Sequence, residues 1–295
     1  MPPEVGGSIA QAGTASDGLV QAPPAQAIAP TPASPGKPGR KLGRSLGEWG
    51  IRLAIIAVAL LLWQLMSGHL IPTYAVSKPT DVAQTLGTTL TSSSGWADIE
   101  TTLEEFLLGF ALGVACGLAL GIVLGSLPAT GRILEPLIAA VNGIPKIALA
   151  PIFILFFGLG IWSKVAIAAL GVGFVMFYNV FLGMRGVPVP LVNVIRMMGA
   201  RPTHVLRYVI VPSLAQPILA GLKAGGPLAM LGVIAGEFVA SFQGVGHELQ
   251  QASSVLNASG VFAALVILVI MQLLINGLLS LFDLGVSRWL GLERR

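Results

Sequence analysis

The chain has 295 residues, of which 54% are hydrophobic and only 10% are charged, and its apolar residues occur in runs too long for a soluble core. This composition predicts an all-α membrane protein with several spans and excludes an ordinary soluble domain. The net charge of +4 comes from basic loops that orient the spans, so nucleic acid is not implied as a partner.

Residues 1–46 differ in composition from the rest of the chain. Pro, Ala, Gly and Gln dominate up to Gly39, so this tail is predicted to be disordered. It is not a cleavable signal peptide, because the first apolar run starts only near Ile51. Four basic residues lie near the end of the tail: Lys37, Arg40, Lys41 and Arg44. They either set the topology or attract anionic lipid.

The remaining residues, 47–295, contain six segments that are mainly apolar over the ~20 residues that a membrane helix needs. They are residues 49–67, 104–127, 137–158, 163–184, 214–240 and 260–283. The third and the fifth contain prolines, which a span tolerates where neighbouring helices satisfy the freed backbone groups. Most of the 17 Lys and Arg residues lie at the termini and in alternate loops, so the positive-inside rule predicts that both termini are cytoplasmic.

The second span carries five glycines at intervals of four residues. Such a series of small residues lets another helix approach backbone to backbone. The partner helix belongs either to the same chain or to a second copy of it. These helix-packing candidates, named here the glycine series, are Gly109, Gly113, Gly117, Gly121 and Gly125.

Three charged residues within the spans are candidates for a transport pathway or a gate, because intramembrane charges commonly mark function. Lys223 and Glu237 fall within about 40° of one helical face, so both could face one cavity. A short carboxylate reaches the interface poorly, which favours a function for Glu237, and a structural partner such as a neighbouring backbone group or Ser241 is the alternative. For Lys146 the ammonium either faces the pathway or extends to the lipid headgroups.

A basic, half-apolar loop, residues 189–212, separates the fourth and fifth spans and is the best candidate for contact with another protein. Apolar residues at 191, 194, 195 and 198 predict one face of a short helix, which Gly199 ends in the left-handed conformation. Pro202 fits the first turn of a second short helix, and Pro212 is expected to end the segment. The alternative is a loop that serves only topology. The contact candidates are Asn193, Arg196, Gly199, Ala200, Arg201, Pro202, His204, Arg207 and Pro212.

Known nucleotide-binding and catalytic motifs do not occur in the sequence. There is no G-x-x-x-x-G-K-[ST] loop, so if ATP drives this protein, another subunit binds it. There is also no H-E-x-x-H and no G-x-S-x-G, so no catalytic residue is predicted. Cys116 is the single cysteine and the three histidines are scattered, so neither an internal disulfide nor a metal site is expected.

Two further segments accompany the loop: Ile144-Pro-Lys-Ile-Ala-Leu-Ala-Pro151 and Phe157-Gly-Leu-Gly160. With the loop, they make the chain resemble, from about Thr101 to Asp283, the permease subunit of binding-protein-dependent ATP-driven (ABC) importers. The resemblance is to the branch that handles nitrate, sulfonates, taurine and pyrimidine precursors.

The cytoplasmic loop of that family contains Glu-Ala-Ala, then a glycine, then Ile-x-Leu-Pro at fixed spacing. Here Gly199 takes the place of the glycine, and residues Val209 to Pro212 take the place of Ile-x-Leu-Pro. Asn193-Val194-Ile195 replaces Glu-Ala-Ala, which removes the carboxylate that the family usually presents to the ATPase. The helix-bend-helix geometry does not depend on that carboxylate.

The resemblance implies a type I importer fold with about six transmembrane helices in a bacterial inner membrane. It implies two permease subunits, expected to be two copies of this chain, two cytoplasmic ATPases that bind the 189–212 loops, and an extracytoplasmic binding protein. The solute would be small and anionic or polar, and ATP would be bound only by the partner subunit. Two alternatives stay open: an ion- or proton-coupled carrier in which Glu237 titrates, and a membrane scaffold that transports nothing.

Overall fold

The computed structural model describes residues 41–70, 72–127, 136, 140 and 143–289. The predicted tail up to residue 40, the loop around Arg132 and residues 290–295 lie outside the described residues. The chain divides into two units, Met1–Arg52 and Leu53–Arg295, and every contact discussed below lies within the second unit.

The regular elements of the described residues are helices. They are α1 (Lys41–Met66), α2 (Pro79–Thr91), α3 (Ser93–Gly125), α4 (Ala150–Phe157), α5 (Ile161–Arg185), α6 (Val189–Met197), α7 (Pro202–Val205), α8 (Val211–Ala240), α9 (Val245–Ser254) and α10 (Ala258–Trp289). A 3₁₀ turn, Lys146–Leu149, precedes α4, and a π-helical turn, Leu206–Ile210, joins α7 to α8. Helix α1 begins inside the predicted tail, at Lys41, and no proline follows Pro38 before the first span.

Four segments of the described chain are long and apolar enough to cross a membrane. They are Ser93–Gly125, Ile161–Arg185, Pro202–Val239 and Ala258–Arg288. Two shorter apolar helices, Gly50–Met66 and Lys146–Phe157, fall on the predicted first and third spans. The prediction of an all-α membrane protein with several spans is therefore confirmed.

The third and fifth predicted spans differ from uniform helices at their prolines. In the third, Pro145 has an extended backbone (ψ 100°), and the 3₁₀ turn and then α4 follow it. Helix α4 then ends at Gly158, whose φ of 75° is in the left-handed region. The fifth span is longer than predicted: it starts at Pro202, and it continues through Pro217 and Pro227. Neighbouring helices therefore accommodate the prolines of the fifth span but not Pro145.

The glycine series of α3 lies against α5 of the same chain. A Cβ added at Gly109 would lie 2.6 Å from Ala168 Cβ, and one added at Gly113 would lie 2.7 Å from the Ala169 carbonyl oxygen. Farther along the helix, Gly121 and Gly125 meet Val180 and Met184 of α5 in the same way, with 2.7 Å to each Cβ. The two helices thus approach backbone to backbone along the whole series, as small residues at regular spacing allow.

Helix α5 also packs against α8, on the face that α3 leaves open. Here the glycines belong to α8: a Cβ at Gly232 would lie 2.9 Å from Ala168 Cα, and one at Gly236 would lie 2.8 Å from Lys164 Cγ. Toward the other end of α8, Pro217 is the close neighbour of Gly183. Helix α5 is consequently the central helix of a three-helix core.

A substitution at Gly117 tests this packing. A methyl group there would collide with the Gly173 carbonyl oxygen and lie 2.8 Å from Met176 Cβ, so Gly117→Ala should destabilise the protein by about 1–3 kcal/mol. At Gly277 of α10 nothing lies within 4 Å, so Gly277→Ala should be neutral or gain up to ~1 kcal/mol of helix propensity. Melting temperatures of the purified variants in detergent measure the difference. Equal melting temperatures would contradict the close approach of α3 and α5.

Candidate functional site

The loop at one end of the bundle contains the predicted helix, left-handed glycine and second helix. Helix α6 ends at Met197, and Gly199 has a φ of +80°. The Ala200 N–H donates to the Ile195 carbonyl at 3.2 Å, and the Gly199 N–H donates to the Arg196 carbonyl at 3.0 Å. These two bonds form a Schellman motif, in which glycine takes the left-handed position at least steric cost. The bend is therefore fixed by hydrogen bonds rather than being a loose connection.

The second helix of the loop is the beginning of a membrane span. At its start, Pro202 lies in the first turn, and the Arg201 N–H donates to His204 Nδ1 at 3.2 Å. The expectation that Pro212 ends the segment is wrong, because the π-helical turn Leu206–Ile210 leads directly into α8. A local π-helical turn can satisfy the backbone groups that a proline leaves free. The second helix of the loop and the span thus form one continuous helix.

The loop exposes apolar and cationic side chains together. Met197 and Met198 at the end of α6 are 80% and 81% exposed, and Leu191 and Val194 are also exposed. Asn193, Arg196, Arg201, His204 and Arg207 are exposed as well, whereas Ala200 and Pro212 are half-buried. An exposed apolar patch edged by charges is typical of a protein-binding surface. These residues, 189–208, are called the loop surface below.

A buried polar cluster occupies the opposite end of α8. Glu237 is 1% exposed; its Oε1 accepts a hydrogen bond from Thr102 Oγ1 at 2.7 Å, and its Oε2 accepts one from the Gly246 N–H at 2.7 Å. Thr102 Oγ1 in turn accepts from the Val245 N–H at 2.9 Å. Glu237 and Thr102 therefore tie the first turn of α9 to α8 and α3.

Two further charged groups complete the buried polar cluster, Glu105 of α3 and Lys164 of α5, both 2% exposed. Lys164 Nζ donates to the carbonyls of Leu159 at 2.6 Å and Gly160 at 3.2 Å. Glu105 lies next to the Glu237 carboxyl, and its Oε2 is buried. Lys164 interacts electrostatically with both carboxyl groups and offsets part of their buried charge.

The predicted pathway residues do not lie together. Lys223, 41% exposed at its side chain, forms an ion pair with Asp283 of α10, whose Oδ1 accepts a hydrogen bond from Ser287 at 3.2 Å. Glu237 belongs instead to the buried polar cluster, so the structure does not bring it together with Lys223. The structural alternative for Glu237 was a neighbouring backbone group or Ser241: the Gly246 N–H is such a backbone partner, whereas the Ser241 hydroxyl donates to the Gln243 carbonyl.

Lys146 lies on the 3₁₀ turn before α4, half-buried, with its Nζ 4.6 Å from the ring centroid of Phe174. This distance is within the range of a cation–π interaction. Among the described residues, no group of three or more His, Cys, Asp or Glu side chains could hold a metal ion.

Sequence reasoning missed most partners of the intramembrane charges. Asp98, Glu105 and Lys164 are not among the site residues that the sequence predicts. Each lies at or just before the start of a predicted span, where a charge is ordinarily solvated, so nothing local shows that the folded chain buries it. One signal was available for Asp283, since a carboxylate within an otherwise apolar helix requires a partner.

These features, several apolar spans and an exposed helix-turn-helix continuous with one of them, define a membrane component that contacts another protein. The family described as "Binding-protein-dependent transport system inner membrane component" matches residues 113–288. The chain belongs to this family, as the permease subunit of an ABC importer.

Curated relatives agree with this assignment over nearly their whole length. The riboflavin transport system permease protein RibX of Chloroflexus aurantiacus is 36% identical over 82% of this chain and 91% of its own. The putative aliphatic sulfonates transport permease protein SsuC of Bacillus subtilis is 28% identical over 85% of this chain and 91% of its own. Among solved structures, a chain of the inward-facing MetNI methionine ABC transporter gives a TM-score of 0.51 at 21% identity. The structural match covers 65% of this chain and 93% of the MetNI chain, which supports the type I importer fold.

Substitutions of Glu237 test the buried polar cluster. Glu237→Leu leaves the Gly246 N–H without its acceptor and the Thr102 hydroxyl with only the Asp98 carbonyl, at ~1–3 kcal/mol for a buried group left unpaired. Glu237→Gln keeps one acceptor oxygen and should therefore lower the free energy of unfolding by less. Glu100→Gln, at an exposed carboxylate of α3, is the matched control and should change nothing. In thermal unfolding in detergent, the loss of stability should be largest for Glu237→Leu, smaller for Glu237→Gln and absent for Glu100→Gln. A Glu237→Leu variant as stable as the Glu100→Gln control would contradict these contacts.

Proposed function

We propose that two copies of this chain enclose the pathway of an ATP-driven importer, with ATPase subunits bound at the loop surface and a binding protein on the other side. The observation that carries the proposal is the loop surface itself, with its exposed apolar and cationic groups on a helix-turn-helix. An importer subunit without a nucleotide-binding motif needs such a contact, because the energy of hydrolysis must reach it from a partner.

The continuity of the loop with α8 supports the coupling mechanism. ATP-driven closure of the ATPases would displace α6 and α7, and a helix that runs unbroken from Pro202 to Val239 transmits a rigid-body displacement where a flexible linker would not. Helix α8 contacts α5 through the small residues Gly232 and Gly236, so the two helices can tilt in close contact.

The absence of the family carboxylate shifts the proposed contact toward apolar groups. Asn193 stands where the family has Glu, and it is exposed. The remaining contributors are the methionines that end α6 and the cations Arg196, Arg201 and Arg207. Met side chains adapt to irregular surfaces, which suits a contact that changes during a transport cycle.

The solute that we propose is a small anionic or polar molecule of the sulfonate, taurine, nitrate or pyrimidine-precursor class. The name of the SsuC relative, aliphatic sulfonates, supports this class, and the riboflavin of RibX adds a heteroaromatic solute to it. Lys223 is our candidate for a pathway residue, because it is a partly exposed cation on a membrane span. Lys146 is a second candidate, and Glu237 is retained only as a structural residue that fixes the outer loop.

The two alternatives receive less support. A proton-coupled carrier with Glu237 as its titrating group needs that carboxylate to exchange protons with a pathway, but Glu237 is 1% exposed and accepts two hydrogen bonds. A scaffold that transports nothing does not require a helix-turn-helix continuous with a span.

Reporter fusions test the proposed topology. Fusions after Arg132, Gly186 and Arg295 should read cytoplasmic, and fusions near Ser94, Gly160 and Ser253 should read external, because basic loops stay on the cytoplasmic side. A cytoplasmic reading at Ser253 would place the α9 region on the same side as the loop surface and overturn this topology.

Gly199→Val tests the coupling. The left-handed φ of +80° makes a β-branched residue cost about 1–2 kcal/mol of local strain, although no atom lies within 4 Å of the added Cβ. The variant should insert into the membrane but bind the ATPase more weakly or uncouple hydrolysis from uptake. Arg196→Glu and Arg207→Glu should act in the same direction but more mildly, because exposed charges are screened.

Gly186→Val is the matched control, since Gly186 lies at the same end of the bundle with an ordinary φ of −78°. The measurements are co-purification of the ATPase and solute-stimulated hydrolysis in liposomes. Full association and wild-type coupling in Gly199→Val would remove the loop surface from the mechanism.

A further inference from the structure

A cavity of about 260 Å³ opens at the end of the bundle opposite to the loop surface. Helix α8 starts beside the loop and has 30 residues, so its far end lies ~45 Å away. The cavity lies there, between α2, the first turns of α3, α9 and the start of α10. Its volume is several times the ~30 Å³ that a water molecule occupies in the liquid, which is room for the end of a long side chain.

The cavity is acidic. Asp98 and Glu248 line it, and none of its lining residues is Lys, Arg or His. Asp98 is only 9% exposed; its Oδ1 accepts a hydrogen bond from the Gly244 N–H at 2.8 Å, while its Oδ2 has no hydrogen-bond partner among the described residues. A carboxylate held in place through one oxygen, with the other unused, is suited to receive a donor from outside the chain.

The mouth of the cavity is apolar and projects from the bundle. Val255, which lines the cavity, and Leu256 next to it are 70% and 67% exposed. Leu256 has a φ of 55° because it takes the left-handed position of the Schellman motif that ends α9, in which the Asn257 N–H donates to the Ala252 carbonyl at 2.9 Å. Exposed apolar side chains rimmed by polar groups mark protein contacts.

We propose that this acidic cavity receives a Lys or Arg side chain of the extracytoplasmic binding protein, and that Val255 and Leu256 pack against the surface around that side chain. The inference rests on the proposed function, which places a binding protein at this end. A cation from a protein matches both the two carboxylates and the apolar mouth. Anionic lipid headgroups and an anionic solute carry the wrong sign.

The experiment measures how tightly the binding protein binds the assembled importer, this chain with its ATPase, in nanodiscs of zwitterionic lipid. Glu248→Lys should raise the Kd about tenfold or more at low salt, Glu248→Gln roughly threefold, and the difference should shrink at high salt. Asp98→Asn, which keeps an acceptor for Gly244, should weaken binding as well. Glu100→Lys is the matched control, an exposed carboxylate of α3 outside the cavity, and should change the Kd less than about twofold.

Hydrolysis of ATP without binding protein should be equal in all variants, because the cavity is far from the loop surface. A Lys or Arg to Glu exchange on the binding protein that restores affinity for Glu248→Lys would identify the partner residue. An unchanged Kd in Glu248→Lys, an equal loss in Glu100→Lys, or an effect that appears only with anionic lipid would overturn the cavity as the docking point. Failure of the wild-type importer to bind the binding protein at all would instead overturn the proposed function.

Discussion

Backbone contact between α3 and α5 is the constraint on which the rest of the structure depends. The glycine series lets α3 lie directly on α5, and α5 is then close enough to α8 for Gly232 and Gly236 to meet it on the other side. In a membrane, where apolar side chains gain little by leaving lipid, such close packing is a main source of helix association. The loop surface and the buried polar cluster are both attached to α8, so their positions follow from this core.

The two ends of α8 are held differently. At the end with Glu237, hydrogen bonds from Thr102 and Gly246 fix the helix to α3 and to the following loop. At the other end, α6 and α7 expose most of their side chains, and the bend at Gly199 touches nothing within 4 Å of its Cβ position. A force applied at the loop surface would therefore reach the loop end of α8 first, while the polar cluster resists movement of the other end.

Features set by neighbours along the chain were predictable from the sequence, and features set by distant residues were not. The spacing of the glycine series and the helix end at Gly199 are local, and both were read correctly. Thr102 and Glu237 are 135 positions apart, so no periodicity could join them. Pro212 was misread because a proline fits equally at the end of a segment and in the first turn of a continuing helix, and only the π-helical turn before it distinguishes the two cases.

The charges also bear on whether one chain is a complete membrane unit. Glu237, Glu105 and Lys164 are each 1–2% exposed, so a single chain already shields them from lipid. The Lys223 side chain lies on a span and is 41% exposed, although it forms an ion pair with Asp283. An ammonium in contact with hydrocarbon is costly, so water or another polypeptide must cover it in the membrane. The pathway that we propose between two permease subunits would supply either kind of cover.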